Sequence, residues 1–316
     1  MLYTHFTLEE RIFLHDSRKQ GLSIRRIADL LGRSPSSVSR ELKRNVSRRG
    51  YRAKKADMLA KARRSNASVK VLKPGSIEYE YVVDKLNCYW PPEAICGRWA
   101  KENPARKRLH FSTIYRHITQ GRLPGITRKN NLRRRGKTKR SKPGEKMTIH
   151  PDRLIRDWPE VIKERSRIGD WEGDTITGKI GSGLITTLVD RKSRYLIAGK
   201  VKSKHAHVQR ESIESLLNGH IVESLSFDNG VEFAEHRAME KTLNAKVYFA
   251  DPHCPWQRGS NENTNGLLRF FFPRSSNFRE VEQEHVLTVV YLLNRRPRKC
   301  LDWLTPEEVF KGVALT

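Results

Sequence analysis

The sequence predicts an α+β chain of several domains, with helical modules at its N-terminal end and an α/β domain after them. Three observations carry that expectation. Apolar residues recur at helical spacing through the first third of the chain, and a basic stretch poor in apolar residues follows near residue 130. Branched, alternating segments separated by glycine turns then begin near residue 170. A length of 316 residues accommodates two or three domains. The expected divisions are a helix-turn-helix unit at 1–48, a second helical unit at 49–125, a basic linker at 126–150 and the α/β domain at 151–316.

In the first unit Thr7 caps a helix that runs through Leu8, Ile12 and Leu14 to Gly21, with Glu9 and Glu10 in its first turn. Ser23 starts a second helix bearing Ile24, Ile27, Ala28 and Leu31, and Gly32 ends it. Ser34 and Pro35 open a third, in which Val38 and Leu42 face inward. Arg33, Ser36, Ser37, Arg40, Lys43 and Arg44 are left pointing outward. Such a helix fits the major groove of double-stranded DNA.

Residues 46–72 are basic and alanine-rich, which predicts a helix followed by a linker. A second trihelical pattern spans about 76–123. Ile77, Tyr81, Val82 and Leu86 mark its first helix, Trp90–Glu93 start one that buries Ile95 and Trp99, and Ser112 caps the third. Ser112, Thr113 and Arg116 are candidates for a second contact with DNA; a packing or dimerising module explains the same apolar residues. From 126 to 146, ten of 21 residues are Lys or Arg against one acid, Glu145, which predicts a flexible linker lying on phosphates.

Charge agrees with that partner. Sixty-two Lys and Arg against 35 Asp and Glu leave a net +27, which calls for a polyanion, either nucleic acid or an anionic membrane surface. No segment reaches the roughly 18 apolar residues of a membrane span. The N-terminal MLYTHFTLEERIFLHDSRKQ carries acids and lacks the apolar core of a secretory leader. Cys88, Cys96, Cys254 and Cys300 form no CxxC pair, so neither a disulfide framework nor a zinc knuckle is expected, and the compartment reads as the cytoplasm.

The α/β half begins with a meander: Trp171–Gly178, Leu184–Val189 and Arg194–Val201. A helix at 205–218, a strand at Ile221–Phe227, a helix at 232–243 and a strand at Lys246–Phe249 follow, then helices at 259–271, 280–294 and 305–311. That order matches a ribonuclease H-like topology, in which the mid-strand acid of the first strand lies beside the end of the fourth. Asp174 and Asp228 then become neighbours although 54 positions separate them. Glu262 comes from the helix after the fifth strand, where Arg258, Asn265, Gly266 and Arg269 share its face. Arg258 and Arg269 are candidate phosphate contacts.

Three converging carboxylates repel one another unless cations bridge them, and hard oxygen ligands select Mg2+, with Mn2+ as a substitute. Two such ions about 3.5–4 Å apart activate an attacking oxygen and stabilise a leaving one. Rival acids fit other roles: Asp170 starts a strand, Glu172 shares a face with Asp174 in a supporting position, Asp190 is a turn residue and Glu232 a helix-start charge.

At these residues the chain resembles the insertion sequence thirty family of bacterial DDE transposases. GDWEGDTITG, FDNGVEF, DPHCPWQRGSNENTNGLLRFFFP and LNRRPRKCLDWLTPEEVF look like its successive signatures, and IADLLGRSPSSVSRELKRN like its first helix-turn-helix. The resemblance implies catalytic, metal-holding acids at Asp174, Asp228 and Glu262, with 33 residues between the last two. It also implies magnesium and the element's terminal inverted repeats as a partner; joining two ends to target DNA calls for a homodimer or higher oligomer, expected to act at the nucleoid. Asp170 stands where the family has His, and His253-Cys254 where it has Tyr-Ser; neither change removes a ligand. Two other readings remain: a metal-dependent nuclease or integrase of another element, and a DNA-binding repressor whose second half serves assembly.

Overall fold

The computed structural model describes residues 5–47, 50–68, 72–133, 151–251, 254, 257 and 259–312. The chain separates into two compact units, Met1–Glu80 and Tyr81–Thr316.

The first unit holds α1 (Leu8–Lys19), α2 (Ile24–Leu30), α3 (Pro35–Asn45), a two-residue-per-strand hairpin of β1 (Val46–Ser47) and β2 (Gly50–Tyr51), and α4 (Ala53–Ser68). Local chemistry sets the helix starts. Thr7 and Glu10 form a reciprocal capping box on α1, and the hydroxyls of Ser23 and Ser34 cap α2 and α3. Leu14, Ile27, Ala28 and Val38 are fully buried and make a small core. Arg11 supplements it from inside, donating to Glu41 at 2.8 Å and to Asp57 at 2.9 Å. Asp57 thus fastens α4 to α1, so residues 50–68 belong with the first module and not with the second helical unit expected from residue 49. The signal was Asp57 itself, the lone acid of residues 46–72.

The second unit opens with helices. After α5 (Ile77–Asn87) come α6 (Pro92–Glu102), α7 (Phe111–Thr119) and the single turn α8 (Arg128–Asn131). Ile95 and Trp99 are buried as expected, whereas Ile77 is exposed and Tyr79 takes an inward position. His110, not Ser112, caps α7: its imidazole accepts from the Ser112 amide at 3.3 Å. Ile126 is buried, and Asn131 accepts from the Thr127 amide and donates to the Leu86 carbonyl. Residues 126–131 are therefore folded against α5 rather than part of a linker; residues 134–150, with Glu145, lie outside the described residues.

Arg98 on α6 donates to both oxygens of Glu308, at 2.8 and 2.7 Å, and to Glu102 at 2.6 Å. Gly97 leaves room beside it for the Trp303 ring, which a Cβ would approach to 2.2 Å. The helical part is thereby clamped to the C-terminal residues of its own unit.

The sheet follows the short helix α9 (Glu160–Lys163). Its strands are β3 (Asp170–Thr177), β4 (Leu184–Asp190), β5 (Leu196–Val201), β6 (Ser224–Phe227) and β7 (Lys246–Phe249), in the order β5-β4-β3-β6-β7. The first three pair antiparallel, and β6 and β7 run parallel to β3. One face carries Ile176, Ile185, Val189 and Leu196 under α12 (Gly259–Phe271) and α13 (Gln283–Asn294). The other carries Trp171, Leu188, Leu225 and Phe227 under α10 (Ala206–Leu217) and α11 (His236–Leu243). With both faces covered, every residue of β4 is buried. The chain ends in α14 (Pro306–Lys311), capped by Thr305 and Glu308. The helix expected at 232–243 begins only at His236, because Phe233 turns inward to stack on Phe227, ring centroids 4.2 Å apart. Among the described residues no helix is long and apolar enough to cross a membrane.

Candidate active site

The parallel pairing of β3 with β6 aligns Trp171 with Leu225 and Glu172 with Ser226. Two steps further, the same register sets Asp174 opposite Asp228, where β6 has just ended. Adjacent strands lie about 4.8 Å apart, so aspartates opposite each other on one face become close neighbours. On the opposite face Gly173 packs against Phe227, where a Cβ would stand 2.2 Å from the ring.

Asp174 is half-buried. One carboxylate oxygen accepts from the Thr175 amide at 2.7 Å, the other from the Asn265 side-chain amide at 2.8 Å. The Asn265 oxygen in turn accepts from the Thr187 hydroxyl, which fixes the amide's direction. Asp228 is also half-buried and accepts from the Gly230 amide at 3.2 Å, closing an Asx turn. Asn229 secures that turn by donating to the Ala250 carbonyl.

Glu262 lies in the first turn of α12, exposed, one helical turn before Asn265. Both ends of this helix are tied to β3. The Asn261 amide donates to Glu172 at 3.3 Å, and Arg269 donates to the Thr177 carbonyl at 2.7 Å. Glu172 is fully buried and paired with Arg191, whose guanidinium lies 3.9 Å over the Trp158 ring. The supporting role expected for Glu172 is thus an anchor: it holds the Glu262 helix on the Asp174 strand. Among the described residues no three His, Cys, Asp or Glu side chains form a group that could hold a metal ion. The fold sets two aspartates opposite each other and brings the helix of the third acid to the same strand, with the Glu262 side chain open to solvent.

The rival acids divide. Asp170 is fully buried against Arg167, at 3.1 and 3.0 Å, and the Ser224 hydroxyl. Asp190 accepts from the amides of Gly169 and Ser193, and burial pushes its carboxyl above the usual range. Glu232 is more than a helix-start charge. It is buried, accepts from the Thr175 hydroxyl at 3.2 Å and faces Lys204 at 3.6 Å. Its carboxylate and that of Asp228 flank bare Gly230, 2.7 and 3.0 Å from where a Cβ would stand. A fourth acid therefore borders Asp228, placed there by the inward turn of the adjoining Phe233.

Of the candidate DNA contacts, Ser36, Arg40, Lys43 and Arg44 are exposed along α3 and Ser37 is half-buried. Arg33 is held within its module by both Glu10 oxygens, at 2.7 and 2.9 Å, and lies over the Phe6 ring. Ser112 and Arg116 are exposed on α7, and Thr113 is half-buried. Arg258 lies outside the described residues. Arg269 is committed to Thr177, and burial lowers its basicity, with Arg274 adding to the effect. One cation escaped the sequence reading: Arg133 crosses α12 at Gly266 and donates to Asn263 at 3.2 Å.

A family profile described as a helix-turn-helix domain matches residues 3–45. The chain is similar to the transposase InsI for insertion sequence element IS30A of Escherichia coli strain K12, 37% identical over 99% of this chain and 85% of that protein. It is similar to the transposase for IS4351 of Bacteroides fragilis at 34% identity, covering 98% of this chain and 96% of that one. The transposase for IS1086 of Cupriavidus metallidurans is 31% identical over 98% and 95%. With likeness of that extent to several insertion-sequence transposases, and a helix-turn-helix at its head, the chain belongs to the IS30 family of transposases.

Proposed function

We propose that this transposase cleaves and joins phosphodiester bonds at Asp174, Asp228 and Glu262, on a ribonuclease H-like catalytic domain, with two Mg2+ ions for which Mn2+ can substitute. The observation that carries the reading is the β3–β6 register, which faces Asp174 with Asp228 while Asn265 of the Glu262 helix grips Asp174. The strand order, three antiparallel and two parallel, supports the fold assignment. The donor set is carboxylate oxygen alone, which suits Mg2+ or Mn2+ and not zinc. When bound, such ions activate the attacking oxygen and neutralise charge on the leaving one.

The chain's own residues supply positioning. Asn265 and the Thr175 amide aim the Asp174 oxygens, and the Gly230 turn aims Asp228. Arg40, Lys43, Arg44 and Ser36 on α3 read the terminal inverted repeat in the major groove, and exposed Ser112 and Arg116 support a second contact from α7. Target DNA enters at the carboxylates, and joining two element ends calls for at least a dimer, working at the nucleoid.

The test is cleavage of a labelled element end with Mg2+ or with chelator. The native chain cleaves only with metal. Asp228→Asn loses cleavage at least about a hundredfold, ~2.7 kcal/mol of barrier, while still binding the repeat. Undiminished cleavage by that variant would overturn the proposal, and a native chain that binds without cutting would favour the repressor reading.

A further inference from the structure

Ser260, two residues and about 3 Å of helical rise before Glu262, borders a separate cavity of about 180 Å3. Three arginines line it: Arg165, Arg194 and Arg298. Arg165 and Arg194 both donate to the Ser260 hydroxyl oxygen, at 3.2 and 2.5 Å. The Arg298 Nε is buried with no hydrogen-bond partner among the described residues, and burial lowers that guanidinium to about 10. No carboxylate lines the cavity, and the further partners of these arginines are backbone carbonyls, Arg191 for Arg165 and Leu293 for Arg298.

The arrangement is costly without an anion. Guanidiniums repel one another, and a serine hydroxyl neutralises no charge. Arg165 and Arg194 also sit in left-handed backbone, φ 56° and 63°, which arginine enters less readily than glycine or asparagine. Arginine forks match the oxygens of a phosphate, and the start of a 13-residue helix adds its positive end. A water takes about 30 Å3, so the cavity has room for a phosphate group with accompanying water.

We propose that this cavity is a phosphate seat that takes one backbone phosphodiester of bound DNA, registering the strand on the turn that presents Glu262. The seat rests on the strand-transfer reading only for the source of its ligand. Phosphate capture itself requires neither metal nor cleavage.

Two variants of the full chain test it. Ser260→Asp places an internal carboxylate on Arg165 and Arg194, occupying the seat while satisfying the arginines. The double change Arg165→Gln with Arg194→Gln empties it of charge. In thermal melting, inorganic phosphate stabilises the native chain beyond chloride of matched ionic strength, and both variants lose that response. Ser260→Asp melts no lower than the native chain without phosphate. On element-end DNA, Ser260→Asp lowers the slope of log affinity against log salt by about one, with a loss of severalfold to roughly tenfold. Asp228→Asn keeps the phosphate response, so failure of the seat and failure of the carboxylate site are told apart. The proposal falls if phosphate does no more than chloride, or if Ser260→Asp keeps both responses. A phosphate response lost with an unchanged DNA slope assigns the seat to free phosphate and overturns the DNA source.

Discussion

The two halves of β3 treat the same functional group in opposite ways. In its first half Asp170 and Glu172 are fully buried, one bound by Arg167 and Ser224, the other by Arg191 and the Asn261 amide. In its second half Asp174 is half-buried: the Thr175 amide and the Asn265 side-chain amide donate to it, and Asp228 stands opposite. A buried carboxylate has to be paired because desolvation costs several kcal/mol per ion. A solvent-accessible one beside a second acid is repelled by it until a cation bridges the two. The difference teaches that residue type alone does not set a carboxylate's role; its burial and the groups that meet it within hydrogen-bond reach do.

The sharpest way to break this comparison is to remove one acid from each half. Glu172→Gln leaves the Arg191 charge buried and unpaired, and should cost about 3–5 kcal/mol in denaturant unfolding. Asp174→Asn keeps the Asn265 neighbour and should stay within about 1 kcal/mol of the native chain while losing cleavage. Equal destabilisation by the two would erase the distinction between fold-holding and reaction-holding acids.

A smaller effect sharpens it through pH. Burial raises the Asp190 carboxyl above its ordinary value of 3.8. The folded chain then holds that proton more tightly than the unfolded one. Its contribution to stability is fullest below 3.8 and declines as pH rises through the raised folded value. Asp190→Asn should therefore trail the native chain most at the acid end and least near neutrality, in melting temperatures taken from about pH 4 to 7. A gap that widens toward neutrality would show the carboxyl to be lowered instead.

Much of this was legible in sequence. Capping residues Thr7, Ser23 and Ser34 mark helix starts through purely local hydrogen bonds, and glycine turns with branched runs bracket the strands. Lys246–Phe249 and Gly259–Phe271 fall where periodicity puts them. The facing of Asp174 and Asp228 follows once the strand order is read. Polar partnerships were not legible, because spacing does not name the partner of a buried charge. Arg11 with Asp57 attaches α4, Asn131 with Leu86 folds the first linker residues, and Glu232 with Thr175 adds an acid to the site. The arginines around Ser260 come from three distant segments and show no pattern until folded.

The most direct measurement counts Mn2+ bound per chain, by paramagnetic resonance, with element-end DNA present. Two ions are expected on the native chain. Asp174→Asn, Asp228→Asn and Glu262→Gln should each lose metal while remaining folded and DNA-bound. Native-level Mn2+ on all three variants would contradict the assignment of these carboxylates.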